Sequence, residues 1–146
     1  MKKYYKVCYK AYDFNNITLK SYNSSSRNQA GTTNYRIGEW VKPSIEHSYL
    51  WIFESEYAAR YNAVRGGTQL FECEAKNVIK APALMILDRE KYMLFWKNVA
   101  KIRQMKKSIS KEVNKFLNAD KNFITCPSME GTLWCSELKL TKAIKW

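Results

Sequence analysis

The chain is poor in the residues that most enzyme chemistries need. It holds one histidine, His47, in 146 residues. Any Ser–His or Cys–His nucleophile pair would have to be built on it. His47 stands beside Glu46 in a loop bounded by Pro43, with no marked nucleophile nearby, and it reads as an ordinary loop residue. Neither G-x-x-x-x-G-K-[ST] nor G-x-G-x-x-G occurs, so the P-loop and dinucleotide-type phosphate cradles have no support. The four cysteines, Cys8, Cys73, Cys126 and Cys135, include no C-x-x-C pair. A tetrahedral zinc site needs closely spaced thiolate or imidazole ligands. The expectation is therefore no metal, no cofactor and no catalytic residue, with the cysteines reduced and buried as small hydrophobes.

Long apolar runs are also missing. No stretch reaches membrane-spanning length. The opening MKKYYKVCYK is charged and then alternating, without the apolar core of a secretory signal. A cytoplasmic protein with no membrane partner is expected.

Acidic residues are scarce: 13 Asp and Glu face 25 Lys and Arg, for a net charge of +12. A field of that size attracts nucleic acid, acidic proteins or anionic lipid. The charge is uneven. Residues 51–87 balance four bases against four acids, whereas residues 88–146 carry thirteen bases and six acids. The composition, 46% hydrophobic and 14% aromatic, belongs to a folded chain, and its length fits a single domain over 1–146.

Residues 3–12 alternate, with Tyr5, Val7, Tyr9 and Ala11 on one face and Lys6, Cys8 and Lys10 on the other. That pattern predicts a half-buried strand. Asp13 to Asn16 predicts a turn, Ile17–Tyr22 a second strand, and the polar stretch 23–31 a loop. Tyr35–Val41 reads as a strand with Gly38 at a bulge, and Tyr49–Phe53 as a buried strand. Ser55 caps a short helix over about 56–64, stopped by Gly66-Gly67. Thr68–Ile79 alternates again, with Phe71, Cys73 and Ala75 inward. Leu84–Leu87 reads as a short strand and Asp88 as a helix N-cap. Phe123–Cys126 and Thr132–Leu140 read as a terminal hairpin. The predicted fold is α+β: a mainly antiparallel sheet with helices on one face.

The densest signal lies between Lys91 and Lys111, where seven basic residues occur without one Asp or Glu. Tyr92, Phe95, Val99, Ile102, Ile109, Val113 and Phe116 recur at helical spacing, predicting an amphipathic helical region over about 89–118 with a cationic outer face. On one unbroken helix the apolar stripe would pass through Lys106. A break near Met105–Ser108 is therefore expected. The candidate partner-binding residues are Lys97, Lys101, Arg103, Lys107, Lys111 and Lys115. A second basic cluster is Lys2, Lys3, Lys6 and Lys10 with Tyr4. Most of the bases are lysine, which neutralises phosphate without reading sequence. No RNP-like, KH-like or zinc-finger pattern is present.

Glu72-Cys73-Glu74 resembles the E-x-E element of ADP-ribosyltransferases, in which the second Glu anchors a ribose hydroxyl. The arginine-type pattern of that family needs an Arg before an S-x-S segment. Here Ser24-Ser25-Ser26 precedes every Arg. The other variant, His then Tyr then Glu, is met in order by His47, Tyr57 or Tyr61, and Glu74, at short spacing. Solvent-facing glutamates on an alternating strand are the plainer reading.

A wider pattern joins Tyr35-Arg36-Ile37-Gly38, then Phe53 with Ala58 and Ala59, then Phe71-Glu72-Cys73-Glu74, then Glu130-Gly131-Thr132 before Leu138-Lys139-Leu140. It resembles small uncharacterised proteins of bacteriophages and mobile elements, over roughly residues 35–140. The resemblance implies action inside a bacterial host, often by binding a host machine such as a defence system. The leading expectation is a small non-enzymatic binding protein that engages nucleic acid or a host protein that handles it. Two alternatives stand beside it: an ADP-ribosyltransferase-like enzyme using Glu72 and Glu74, and an accessory virion or structural protein.

Overall fold

The computed structural model of the chain describes residues 2–13, 16–21, 33–62, 66–87 and 89–146. The expected loop over 23–31, most of the turn after Asp13, the end of the first helix and the Asp88 cap lie outside the described residues. Strand β1 (Tyr4–Asp13) turns back into β2 (Asn16–Ser21), with Cys8 opposite Ser21 and Asp13 opposite Asn16. Next come β3 (Asn34–Tyr35), β4 (Trp40–Val41), β5 (Leu50–Phe53) and α1 (Glu56–Asn62). They are followed by β6 (Thr68–Lys76), β7 (Ile79–Lys80) and β8 (Leu84–Ile86). A 3₁₀ turn at Arg89–Lys91 leads into α2 (Tyr92–Gln104) and α3 (Ile109–Ala119). The chain ends with β9 (Thr125–Pro127), β10 (Thr132–Cys135) and β11 (Glu137–Ile144).

The fold is α+β, and every pairing in the described sheets is antiparallel. The main sheet runs β4-β11-β6-β1-β5-β10-β7, and β2 branches from β1 to pair with β3. Alternation along these strands sorts side chains onto two faces. One face gathers Cys8, Leu50, Ile52, Phe71, Cys73, Cys135, Leu138 and Leu140 around Tyr35. On the other, Val7, Phe53 and Leu70 meet Ala58 and Ala59 of α1. Further along that face, Trp134 and Tyr49 sit beneath Phe95 and Val99 of α2 and Val113 and Leu117 of α3. Trp134 is fully buried, with Trp96 4.9 Å, Tyr49 5.7 Å and Phe95 6.1 Å away between ring centres. Removing a ring so enclosed typically costs about 3–5 kcal/mol.

Two local expectations hold in detail. The Ser55 Oγ accepts the Ala58 amide at 3.0 Å, capping α1. The basic helical region breaks at Met105–Ser108, with Lys106 at φ 55°. A left-handed residue cannot continue a helix, so Lys106 leaves the apolar stripe instead of being buried in it.

Three expectations are corrected. Residues 35–41 do not form one strand: Gly38, at φ 85°, reverses the chain between β3 and β4, and its amide donates to the Leu140 carbonyl at 2.8 Å. Asn77, at φ 51°, likewise separates β6 from β7. The terminal hairpin is not formed either. β9 pairs with β8, Leu84 opposite Pro127 and Ile86 opposite Thr125. The α2–α3 excursion leaves from β8 and returns at β9, so the two short strands meet at its base. The Asn114 side chain of α3 accepts the Leu84 amide at 3.2 Å there.

Candidate nucleic-acid interface

Helix α2 turns Phe95, Val99 and Ala100 into the core, which leaves Lys97 and Lys101, one helical turn apart, exposed. Helix α3 buries Val113 and Leu117 and leaves Lys111 and Lys115, again one turn apart, in solvent. Lys106 and Lys107 are exposed in the four-residue link. Among the described residues none of these six lysines has a carboxylate within ion-pair distance. The ion pairs present gather elsewhere, at Lys3, Lys42, Arg60, Lys76 and Lys139, with a His47–Glu46 contact besides.

Arg103 stands apart from this set. At about 100° per residue, a position two after Lys101 points to nearly the opposite side of the helix. Its guanidinium carbon lies 4.8 Å from the centre of the Tyr49 ring, and Nη1 donates to the Ser48 carbonyl at 3.2 Å. Tyr49 is pushed to higher pKa by burial, partly offset by Arg103. The arginine is thus held against the sheet.

The second basic cluster is also divided. Lys2 and Lys3 are exposed; Lys2 sits 5.4 Å from the Tyr4 ring centre and Lys3 is 3.7 Å from Glu72. Lys6 is only 5% exposed. The expectation of an outward Lys6 face fails because β1 is covered on both sides. Lys6 Nζ donates to the Trp51 carbonyl at 2.5 Å, and burial lowers its pKa, with Cys8, Cys135 and Cys73 opposing that shift. The three thiols share its core but form no metal-binding group with it. Among the described residues no three of His, Cys, Asp and Glu are placed to hold a metal ion.

Glu72 and Glu74 lie on one face of β6, each in an ion pair: Glu72 with Lys3, and Glu74 with Lys139 at 3.3 Å.

A polar cleft of about 510 Å³ opens where Arg103 reaches the sheet. Its walls are the 42–48 loop, Asn77, and the Ser136-Glu137 junction of β10 and β11. His47, at φ 66°, and Asn77 both hold left-handed backbone there, a conformation that His and Asn tolerate better than most residues. Asn77 Nδ2 donates to Ser136 Oγ at 2.8 Å. Glu137 stands 3.2 Å from Lys76 and 3.5 Å from Lys42, and the hydrogen bond from Lys76 holds its carboxyl below the usual range. Only Arg103 of this cleft belonged to the predicted site. The rest come from separate segments that share no sequence signal.

Among the described residues, no helix is long and apolar enough to cross a membrane. Comparison with protein-family models, with curated proteins and with solved structures finds no match for this chain.

Proposed function

We propose that this protein acts by binding, and that its α2–α3 hairpin engages the phosphate backbone of nucleic acid. One observation carries the reading: Lys97, Lys101, Lys106, Lys107, Lys111 and Lys115 are all exposed on one hairpin, with no carboxylate partner among the described residues. Surface lysines are usually balanced by interspersed acids. A stretch left unbalanced keeps its field for an outside partner, and lysine suits phosphate contact without base reading. An acidic surface on a nucleic-acid-handling host protein would meet the same charges. The phage-type setting belongs to this proposal on the strength of the sequence resemblance alone.

The test is a triple variant, Lys97→Glu, Lys101→Glu and Lys111→Glu, in a salt titration with duplex and single-stranded DNA. On duplex DNA each phosphate contact adds about 0.9 to the slope of log K against log salt, and on a single strand about 0.7. The variant should therefore lose about three from the duplex slope and bind far more weakly, while its stability shifts by no more than about 0.5 kcal/mol per site. Unchanged binding would mean that the lysines are solvated bystanders. Capture of a host protein that survives nuclease and is lost in the variant would favour the acidic-protein partner.

A further inference from the structure

The cleft beside Arg103 is built differently from the hairpin surface. Arg103 is half-buried, stacked on Tyr49 and tied to the Ser48 carbonyl, so its side chain is already ordered. No carboxylate lies within ion-pair distance of it among the described residues. One of its five donors is used at Ser48, which leaves most of the guanidinium fork for a ligand. An ordered, unneutralised arginine is the side chain best suited to grip a phosphate through paired hydrogen bonds.

The other walls extend the same chemistry. Lys42 and His47 bring nitrogen donors from the 42–48 loop, and Ser44 adds a hydroxyl. A carboxylate ligand is satisfied by one fork; donors arriving from several segments fit the three terminal oxygens of a phosphate monoester. Glu137 also lines the cleft, its charge balanced by Lys76 and Lys42. Its remaining lone pairs can accept sugar hydroxyls. Glu46, beside His47 at 3.6 Å, is largely exposed and opposes the anion only weakly. A cavity of about 510 Å³ falls in the range of sites for ligands of nucleotide size.

We propose that this cleft binds a sugar phosphate monoester of mononucleotide size, with Arg103 as the main phosphate ligand, Lys42 and His47 beside it, and Glu137 toward the sugar. The ligand is either a free nucleotide or the phosphorylated end of a strand. The site does not depend on the lysine hairpin, and the test keeps the two apart.

Calorimetric titration of the full chain with adenosine monophosphate, adenosine and inorganic phosphate is the first arm. The monophosphate should bind and adenosine should not. Arg103→Gln should weaken the monophosphate at least about tenfold, as expected when a charge-assisted hydrogen bond is lost. Lys42→Gln, at an exposed position that cannot unfold the chain, should weaken it by a smaller factor. The triple hairpin variant should bind it as the parent does. The second arm compares one short oligonucleotide with and without a 5′-phosphate. A preference for the phosphorylated strand, erased by Arg103→Gln and kept in the hairpin variant, assigns the site to strand ends. Monophosphate binding without that preference assigns it to free nucleotides. If the parent binds neither the monophosphate nor the phosphorylated end selectively, the proposal is overturned. So it is if Arg103→Gln and Lys42→Gln both leave binding intact.

Discussion

The ammonium of Lys6 lies 5.5 Å from the centre of the Tyr35 ring, in a core where Lys6 is 5% and Tyr35 3% exposed. The Tyr35 hydroxyl has no hydrogen-bond partner among the described residues, and Lys6 has the Trp51 carbonyl. No carboxylate is within ion-pair distance of Lys6 among the described residues. The ring face and one carbonyl offset only part of the cost of removing an ammonium from water.

Lys6→Met should therefore stabilise the fold at pH 7, by about 1–4 kcal/mol if it follows other replacements of buried charge by apolar side chains. The sign follows from proton binding. Burial holds Lys6 below its ordinary value of 10.5, so between the lowered value and 10.5 the unfolded chain binds more protons than the folded one. Parent stability from this group rises with pH through that window. The advantage of Lys6→Met should shrink accordingly from pH 7 toward 10.5. Urea midpoints at pH 7 and pH 10 measure it. A variant less stable at pH 7 would show that the bond to Trp51 outweighs desolvation.

The thiols act in the opposite direction. Burial pushes Cys8 and Cys135 from 9.0 up to about 12 and raises Cys73 further. Above pH 9 the unfolded chain releases protons that the folded chain keeps, so these groups remove stability as pH climbs toward 12. They also remain unreactive thiols at neutral pH. A charged aromatic disulfide reagent should titrate one thiol of the native protein quickly, Cys126, which is the one not buried. All four should react in denaturant. Two or more fast thiols in the native state would contradict the burial.

Gly131→Ala should be among the most damaging small substitutions. Gly131 holds φ 80° before β10, and an added Cβ would stand 2.6 Å from the Cβ of buried Ala58 in α1. Neither atom can rotate away. Overpacking of this kind costs about 1–3 kcal/mol, and the left-handed backbone adds about 1–2 kcal/mol for a residue with a Cβ. Thermal denaturation measures the loss; an unchanged midpoint would mean that α1 shifts freely on the sheet.

Glu74→Gln separates the binding reading from the ADP-ribosyltransferase-like one. The purified protein should neither bind NAD nor release nicotinamide. Because the Glu74–Lys139 pair is partly exposed, the substitution should cost about 1 kcal/mol or less and leave biological activity intact. NAD-dependent labelling of a target, abolished by Glu74→Gln, would establish the enzyme instead.

Local rules were enough to read several features from the sequence. The Ser55 cap lies within the four residues from Ser55 to Ala58. The break at Lys106 follows because a lysine cannot continue an apolar stripe. Alternation placed β1 and β6, and the 3.6-residue period placed α2 and α3. Each of these reports geometry within about one turn or one strand, and so is written in neighbouring residues.

Lys6, β9 and Arg103 were decided at longer range. Alternation divides a strand into two faces but does not say whether both will be covered; Lys6 is buried because Tyr35 of β3, far along the chain, closes over it. Strands of three residues carry too little pattern to choose a partner, so β9 took the edge that the helical excursion brought beside it. Arg103 counts as one more base in a cationic run until the helix is rotated against the sheet. Packing of Phe95, Val99 and Val113 on Trp134 sets that rotation. It sends the lysines outward and turns the arginine toward Tyr49, because only the tertiary core determines which side of a helix faces in.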